Sequence, residues 1–372
     1  MRRLVLFSFL LCVLGGTRAA AQEPSPIPWV SDQELIEELK DAPHTYADRT
    51  EKLVALFQQA GLTEVRKQEA ASSSPAAQLA NVIATLPGKS EDCIVVGAHT
   101  DFVMTGTGVI DDWSGASMLT NIAQTLAPLP RKHTFLFIGF TLEEVGSVGS
   151  FRYVRRLSLQ EKNRISAMVN LDCLGVSKPC VWQTGSADAL EALAGRVAEE
   201  EKVALAIRQL TRVGADSDAF MAADIPAITF HSLRTEDLDL IDSPRDRFEA
   251  MDSDNYVEQY HFLVHYLLAL DQLTEPIDPA NSDRPPMRLR PGFEPDMKRL
   301  RAEGTIVVVE VVDWSPEKRA GLQPGDVLVR FAGVPVRSPD DFVQRFLSLT
   351  RGEKVTATVK RDGKEVELAI QY

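Results

Sequence analysis

Histidine is scarce in this 372-residue chain, with only six in all. Cysteine is scarcer still, with four, and Cys12 falls within the first 21 residues. Cys93, Cys173 and Cys180 remain beyond that leader, and an odd number cannot all pair internally, which excludes a disulfide-built scaffold. Cys93 reads as a buried strand residue. Cys173 and Cys180 are close enough in sequence to bridge a short loop in an oxidising compartment. Long apolar runs are also missing. The longest, Leu4 to Leu14, is too short to span a bilayer comfortably. Positive charge is in deficit: 40 Lys and Arg stand against 53 Asp and Glu, a formal net charge of −13. That excess of acid argues against nucleic acid and anionic membranes as partners. No internal repeat and no low-complexity tract occurs.

The first 21 residues, MRRLVLFSFLLCVLGGTRAAA, set two arginines before an apolar core and end in small residues. This is the pattern of a secretory signal peptide cleaved before Gln22, so a secreted or periplasmic protein without an integral membrane segment is expected. Phe9, Leu10 and Leu11 before Cys12 do not suit a lipoprotein signal. Removing three arginines and no acid takes the net charge to −16.

Beyond the leader, apolar runs alternate with helix-like stretches. Ser31-Asp32-Gln33-Glu34 reads as a capping box before Leu35, Ile36 and Leu39. A second helix is expected from Asp48 to Ala60, stopped by Gly61. Residues 68–78 read as a loop, and 79–86 as a strand. Cys93–Ala98 is a short apolar run ending in His99-Thr100-Asp101, after which a glycine-rich loop leads to Asp111-Asp112-Trp113-Ser114-Gly115. Thr134–Phe140 ends in Thr141-Leu142-Glu143-Glu144, and Ala167–Asn170 ends in Leu171-Asp172-Cys173. Helices are expected over about 113–127, 147–157, 186–202 and 253–272. This alternation predicts an α/β domain with a central, mostly parallel mixed sheet flanked by helices. Open sheets of that kind build their sites at the carboxyl ends of strands, and three strands here end in acid or histidine. His99 offers a metal a neutral nitrogen, and Asp101 is placed to hold its other ring nitrogen.

The segments GAHTDF, GVIDDWSGAS, FTLEEVGSVGS and MVNLDCLG, in that order, resemble the co-catalytic di-zinc aminopeptidases related to bacterial leucyl aminopeptidases and glutamate carboxypeptidases. The resemblance covers about residues 30 to 273 and implies a zinc exopeptidase fold. It further implies that His99 and Asp172 bind one zinc, Asp111 bridges, Glu144 binds a second, and Glu143 is the general base. Asp101 completes the catalytic set behind His99.

One position departs from the pattern. Relatives carry histidine before a Ser/Thr-Pro, where this chain has Asp242-Ser243-Pro244-Arg245-Asp246. Three readings follow: Asp242 binds the second zinc through oxygen, His231 at the end of Ile225–Phe230 replaces it, or the second site is weakened. With Asp242 as ligand, four carboxylates and a neutral His99 face two zinc ions. The resulting centre is a poorer Lewis acid, expected to work at higher pH than an Asp242→His variant and to accept manganese or cobalt more readily. His261 and His265, four apart among apolar neighbours, read as packing or surface residues.

Residues 274–286, TEPIDPANSDRPP, read as a linker. Short strands follow at 306–312, 327–331, 355–359 and 366–370, the last two joined through Arg361-Asp362-Gly363, with a helix at 339–347 capped by Ser338. The stretch SPEKRAGLQPGDVL resembles a bacterial PDZ domain. That resemblance implies a small β-rich module over 287–372 that captures a peptide C-terminus near Arg290-Pro291-Gly292-Phe293.

The function implied is a secreted metallopeptidase that removes N-terminal residues from peptides with a free amino end. A water between the metals would act as nucleophile, with Glu143 as base. Glu143 or Asp112 is a candidate for holding the substrate amine. The acidic segment Glu236 to Asp239 suggests basic first residues. A carboxypeptidase or deacylase would instead need a cation, for which Arg234 and Arg245 are candidates. From another class, the alternative is an inactive peptidase-like protein acting as a PDZ-centred peptide-binding module.

Overall fold

A computed structural model describes residues 26–69, 79–210, 214–284 and 289–372. The leader and the loop residues 70–78 lie outside them. The first domain holds strands β1 (Glu64–Glu69), β2 (Ala80–Leu86), β3 (Cys93–His99), β4 (Thr134–Phe140), β5 (Ile165–Leu171), β6 (Cys180–Trp182), β7 (Ala206–Arg208) and β8 (Ala227–His231). They form one eight-stranded sheet in the order β1-β2-β4-β3-β5-β8-β6-β7. The four central strands, β4-β3-β5-β8, run parallel. β1 and β2 are antiparallel at one side, and β6 runs antiparallel to β8 at the other. The mixed α/β architecture expected from the alternation is therefore present.

Helices cover both faces. They are α1 (Asp32–Lys40), α2 (Tyr46–Gln59), α3 (Ser114–Leu126), α4 (Val148–Arg155), α5 (Leu159–Arg164), α6 (Asp188–Glu201), α7 (Ser217–Met221) and α8 (Ser253–Gln272). Central strands read as unbroken apolar runs because both their faces are buried: β3 and β4 pack on α2, α3 and α8 on one side and on the Tyr153–Phe220 cluster on the other. Helix α2 starts two residues earlier than Asp48, because Thr45 accepts the Asp48 N–H at 3.1 Å and caps it. β1, with the sequence EVRKQE, takes in Gln68 and Glu69, which the sequence alone places in a loop; an exposed edge strand carries no apolar alternation to read. No helix of the described residues is long and apolar enough to cross a membrane.

Cys93, Cys173 and Cys180 are all free. Cys173 and Cys180 sit buried apart from one another, so the bridge does not form. Cys93 is half-buried at the first position of β3, where the strand emerges, rather than fully buried.

The second domain has its own apolar core around Phe331, Phe342, Phe346 and Val359. Its elements are β9 (Phe293–Pro295), α9 (Met297–Glu303), β10 (Val308–Val311), α10 (Pro316–Arg319), β11 (Val327–Phe331), β12 (Val334–Pro335), α11 (Pro339–Leu347), β13 (Lys354–Arg361) and β14 (Lys364–Gln371). β13 and β14 form the hairpin expected at Asp362-Gly363, both of which adopt positive φ. Ser338 caps α11 in a capping box with Asp341. The second domain docks on α4 and its flank. Arg155 donates to the carbonyls of Pro291 at 2.8 Å and Phe293 at 3.0 Å, and Trp314 donates to the Val154 carbonyl at 3.3 Å.

Candidate active site

The parallel centre of the sheet delivers its strand ends to one place. β3 ends in His99, β4 leads to Glu143 and Glu144, β5 leads to Asp172, and β8 ends in His231. All five residues, with Asp111 and Asp242, line one cavity of about 300 Å³. Candidate ligand atoms lie within 4.8 Å of one another in three groups: His99, Asp111 and Glu144; His99, Asp112 and Asp172; and Asp111, Asp172 and Cys173. Asp111 belongs to two of them, one with Glu144 and one with Asp172, which is the placement a bridging carboxylate needs.

The loop carrying Asp111 is held by groups whose roles the sequence did not reveal. Asp246 accepts the N–H of Ile110 at 2.7 Å and of Asp111 at 3.2 Å. Buried Arg49 donates to the carbonyls of Thr107 and Gly108, both at 2.7 Å. The Asp111–Asp112 peptide is cis. Asp112 itself is wholly buried and serves as a brace. It accepts the N–H of His99 at 3.1 Å, of Gly115 at 3.0 Å and of Cys173 at 3.1 Å, and so ties β3, α3 and the end of β5 together. A Cβ on residue 115 would stand 2.6 Å from an Asp112 oxygen, so only glycine fits there. Wholly buried and outside the cavity lining, Asp112 is not placed to receive a substrate amine.

Asp101 has a comparable duty. Its two oxygens accept the N–H of Glu143 at 3.0 Å and of Glu144 at 3.2 Å. The His99 Nδ1 partner is the Asp101 carbonyl at 3.1 Å, with the Asp101 carboxylate 3.7 Å away. Asp101 thus positions the acid pair as much as the histidine. Burial opposes its charge, but His99 and these N–H donors hold its carboxyl below the usual range.

The adjacent glutamates differ in surroundings. One Glu143 oxygen accepts from Ser147 Oγ at 2.9 Å, and burial first, with Asp172 and Asp111 nearby, pushes its carboxyl up to about 7. Burial and Asp111 push Glu144 up to about 9, and burial pushes Asp172 up to about 6. Glu144 Oε1 is buried with no hydrogen-bond partner. A crowd of buried carboxylates around one imidazole, with an orphaned oxygen facing it, is costly unless a cation joins it. The donor set of one nitrogen and several carboxylate oxygens fits zinc and also manganese or cobalt.

Asp242 lines the cavity from its exposed rim. Its carboxylate stands outside all three ligand groups, and its carbonyl accepts from Thr105 Oγ1 at 2.8 Å. His231 is buried, and its Nδ1 accepts the Leu233 N–H at 3.1 Å. That bond puts the ring proton on Nε2, so His231 presents a donor to the cavity and is not a substitute ligand. Asp216, also missed in the sequence, is buried with neither oxygen partnered, close enough to Glu143 for their charges to interact.

Other candidates fall away from the cavity. Arg234 is clamped by Asp237 through bonds of 2.8 Å, which ties up one acid of the segment expected to attract basic residues. Arg245 binds the Asp239 carbonyl at 2.6 Å. Neither of these two arginines lines the cavity among the described residues. His261 packs edge-on against Trp29, and His265 lies 3.3 Å from Glu201, the packing and surface roles expected of them.

Residues 81–267 match the model of peptidase family M28. The chain belongs to peptidase family M28. Residues 290–371 match the PDZ domain model, so the M28 domain is followed by a PDZ domain, as the sequence resemblance implied. Over 96 residues the chain is 38% identical to an aminopeptidase of Pseudomonas aeruginosa, covering 26% of this chain and 18% of that protein. Over 98 residues it is 37% identical to aminopeptidase YwaD of Bacillus subtilis, covering 26% and 21%. The matched stretch therefore spans about a fifth of these relatives' own length. The solved structure of the LapA aminopeptidase of Legionella pneumophila superposes with a TM-score of 0.56 at 19% identity, over 70% of this chain and 83% of that one. This M28 chain shares that fold.

Proposed function

We propose that this M28 protein is a zinc-dependent aminopeptidase, exported on the strength of its leader, that removes residues from the free amino end of peptides. The observation that carries the reading is the meeting of His99, Asp111, Glu144 and Asp172 around one cavity, with Glu143 beside them on a separate tether. Two metal ions are proposed: His99 and Asp172 would hold one, Glu144 the other and Asp111 both, with Asp242 at the rim as a further candidate for the second.

Bound there, zinc supplies Lewis acidity to the peptide carbonyl and makes the attacking water easier to deprotonate. The protein's own part is positional. Glu143, kept off the ligand set by Ser147 and the Asp101 anchor, takes a proton from the water and passes it to the leaving amine. The cavity walls orient the scissile bond against these groups.

The PDZ groove, of about 470 Å³ between Phe293 and the Phe342, Val343, Phe346 and Leu347 face of α11, would receive a peptide C-terminus. Arg290 lines it, and Arg155 reaches in from the M28 domain.

The test is incubation of zinc-loaded protein with matched free and N-acetylated peptides, followed by mass spectrometry. Stepwise loss from free peptides, absent from acetylated ones and reduced at least ~100-fold in Glu143→Gln, is expected. Untouched peptides throughout would refute the reading and favour a PDZ-centred binding module.

A further inference from the structure

Besides the acids, the cavity is lined by apolar Trp182, Leu210, Leu233 and Ile241, and by His231 and Thr229. The last two come from β8, two residues apart, and so project on the same face of the strand. We propose that His231 determines substrate specificity by donating its Nε2–H to the side-chain carbonyl of a first residue that ends in a carboxamide, asparagine or glutamine. This rests on the aminopeptidase reading above and names its substrate class.

Four observations carry it. The Leu233 N–H at 3.1 Å fixes the acceptor nitrogen of the ring as Nδ1, leaving Nε2 as donor. Nε2 is buried and has no partner among the described residues. A buried donor left unpaired costs about 1–3 kcal/mol, which a ligand with a matching acceptor recovers. Thr229 Oγ1 donates to Ser217 Oγ at 2.7 Å, so its lone pairs are free to accept the amide N–H of the same carboxamide. Burial, with Arg208 nearby, pushes the imidazole down to about 3, so the ring is neutral at working pH. The neutral ring adds no charge partner for a carboxylate side chain, whereas a carboxamide finds a donor in His231 and an acceptor in Thr229. Leucine, the isostere of asparagine, leaves the donor unpaired.

Calorimetric titration of the zinc-loaded full chain with free L-asparagine, L-glutamine, L-leucine and L-aspartate tests binding apart from turnover. Matched peptides beginning with the same residues test kcat/KM. The wild type should favour the better amide over leucine by about tenfold or more in both measurements, a ratio that His231→Phe levels or reverses. His231→Gln, which still donates, should keep a preference and guards against a folding defect. An amide-to-leucine ratio unchanged by His231→Phe, or no binding of either amide, overturns the proposal. Amide-selective binding without peptide cleavage would sink the aminopeptidase reading and leave His231's role standing. Cleavage without amide preference would do the reverse.

Discussion

Replacing Glu144 by glutamine should stabilise the protein without metal and destabilise it with metal. Glu144 is half-buried beside Asp111, which pushes its carboxyl from 4.5 up to about 9. A folded-state value above the unfolded one means the stability tied to the neutral group is fully present below pH 4.5 and is lost as pH rises towards 9. Each unit of such a shift corresponds to about 1.4 kcal/mol. Partial exposure screens the total, so Glu144→Gln should gain about 1–3 kcal/mol at pH 8 in chelator. In a chain this size that is a rise of about 2–6 °C in Tm. By pH 4.5 the gain should vanish. With excess zinc the order should invert, because the orphaned Glu144 oxygen then has a cation to hold and glutamine is a poorer ligand. Thermal unfolding of wild type and variant at pH 4.5, 6, 7 and 8, each with chelator and with zinc, measures all of this. A chelated variant no more stable than wild type at pH 8 would refute the argument that carboxylate crowding is what the metal relieves.

Asp112→Ala strips the acceptor from three backbone N–H groups in a wholly buried place and should cost about 3–5 kcal/mol, seen as a fall in the urea midpoint with or without zinc. Glu38, bonded to Asn121 at 3.0 Å, is pushed by burial up to about 7; stability present below pH 4.5 is lost through pH 7, so Glu38→Gln should raise Tm by a few degrees at pH 8 and not at pH 4. Arg155→Ala removes two charged hydrogen bonds between the domains, worth about 1.5–3 kcal/mol each, and should separate M28 and PDZ unfolding into distinct calorimetric transitions. A single unchanged transition would show that the contact does not couple them.

The sequence by itself determined the class of fold and most of the site. Buried parallel strands must be apolar on both faces, so β3, β4 and β5 are legible as uninterrupted runs, and the acids and histidine directly after them stand out. His99, Asp111, Glu143, Glu144 and Asp172 lie far apart in the chain yet share a cavity because adjacent parallel strands end on the same side of the sheet. The second domain was legible through its hairpin and its capped helix, features of local chemistry that need no distant partner.

Tertiary structure alone decided the rest. Asp111 and Asp112 are neighbours with the same side chain, and only the fold turns one into the cavity and the other into a brace for three backbone donors. The acidic run from Glu236 to Asp239 suggests an attraction for basic first residues, and only the fold shows that Arg234 clamps Asp237 within it. His231 has the same composition whether it binds metal or donates a proton, and the Leu233 N–H settles which. Asp216 and Asp246 carry no distinctive spacing, because what makes them matter is burial and long-range contact. Residue type and spacing report what a side chain is able to do; which of those things it does depends on the partner that folding puts within 3 Å or so of it.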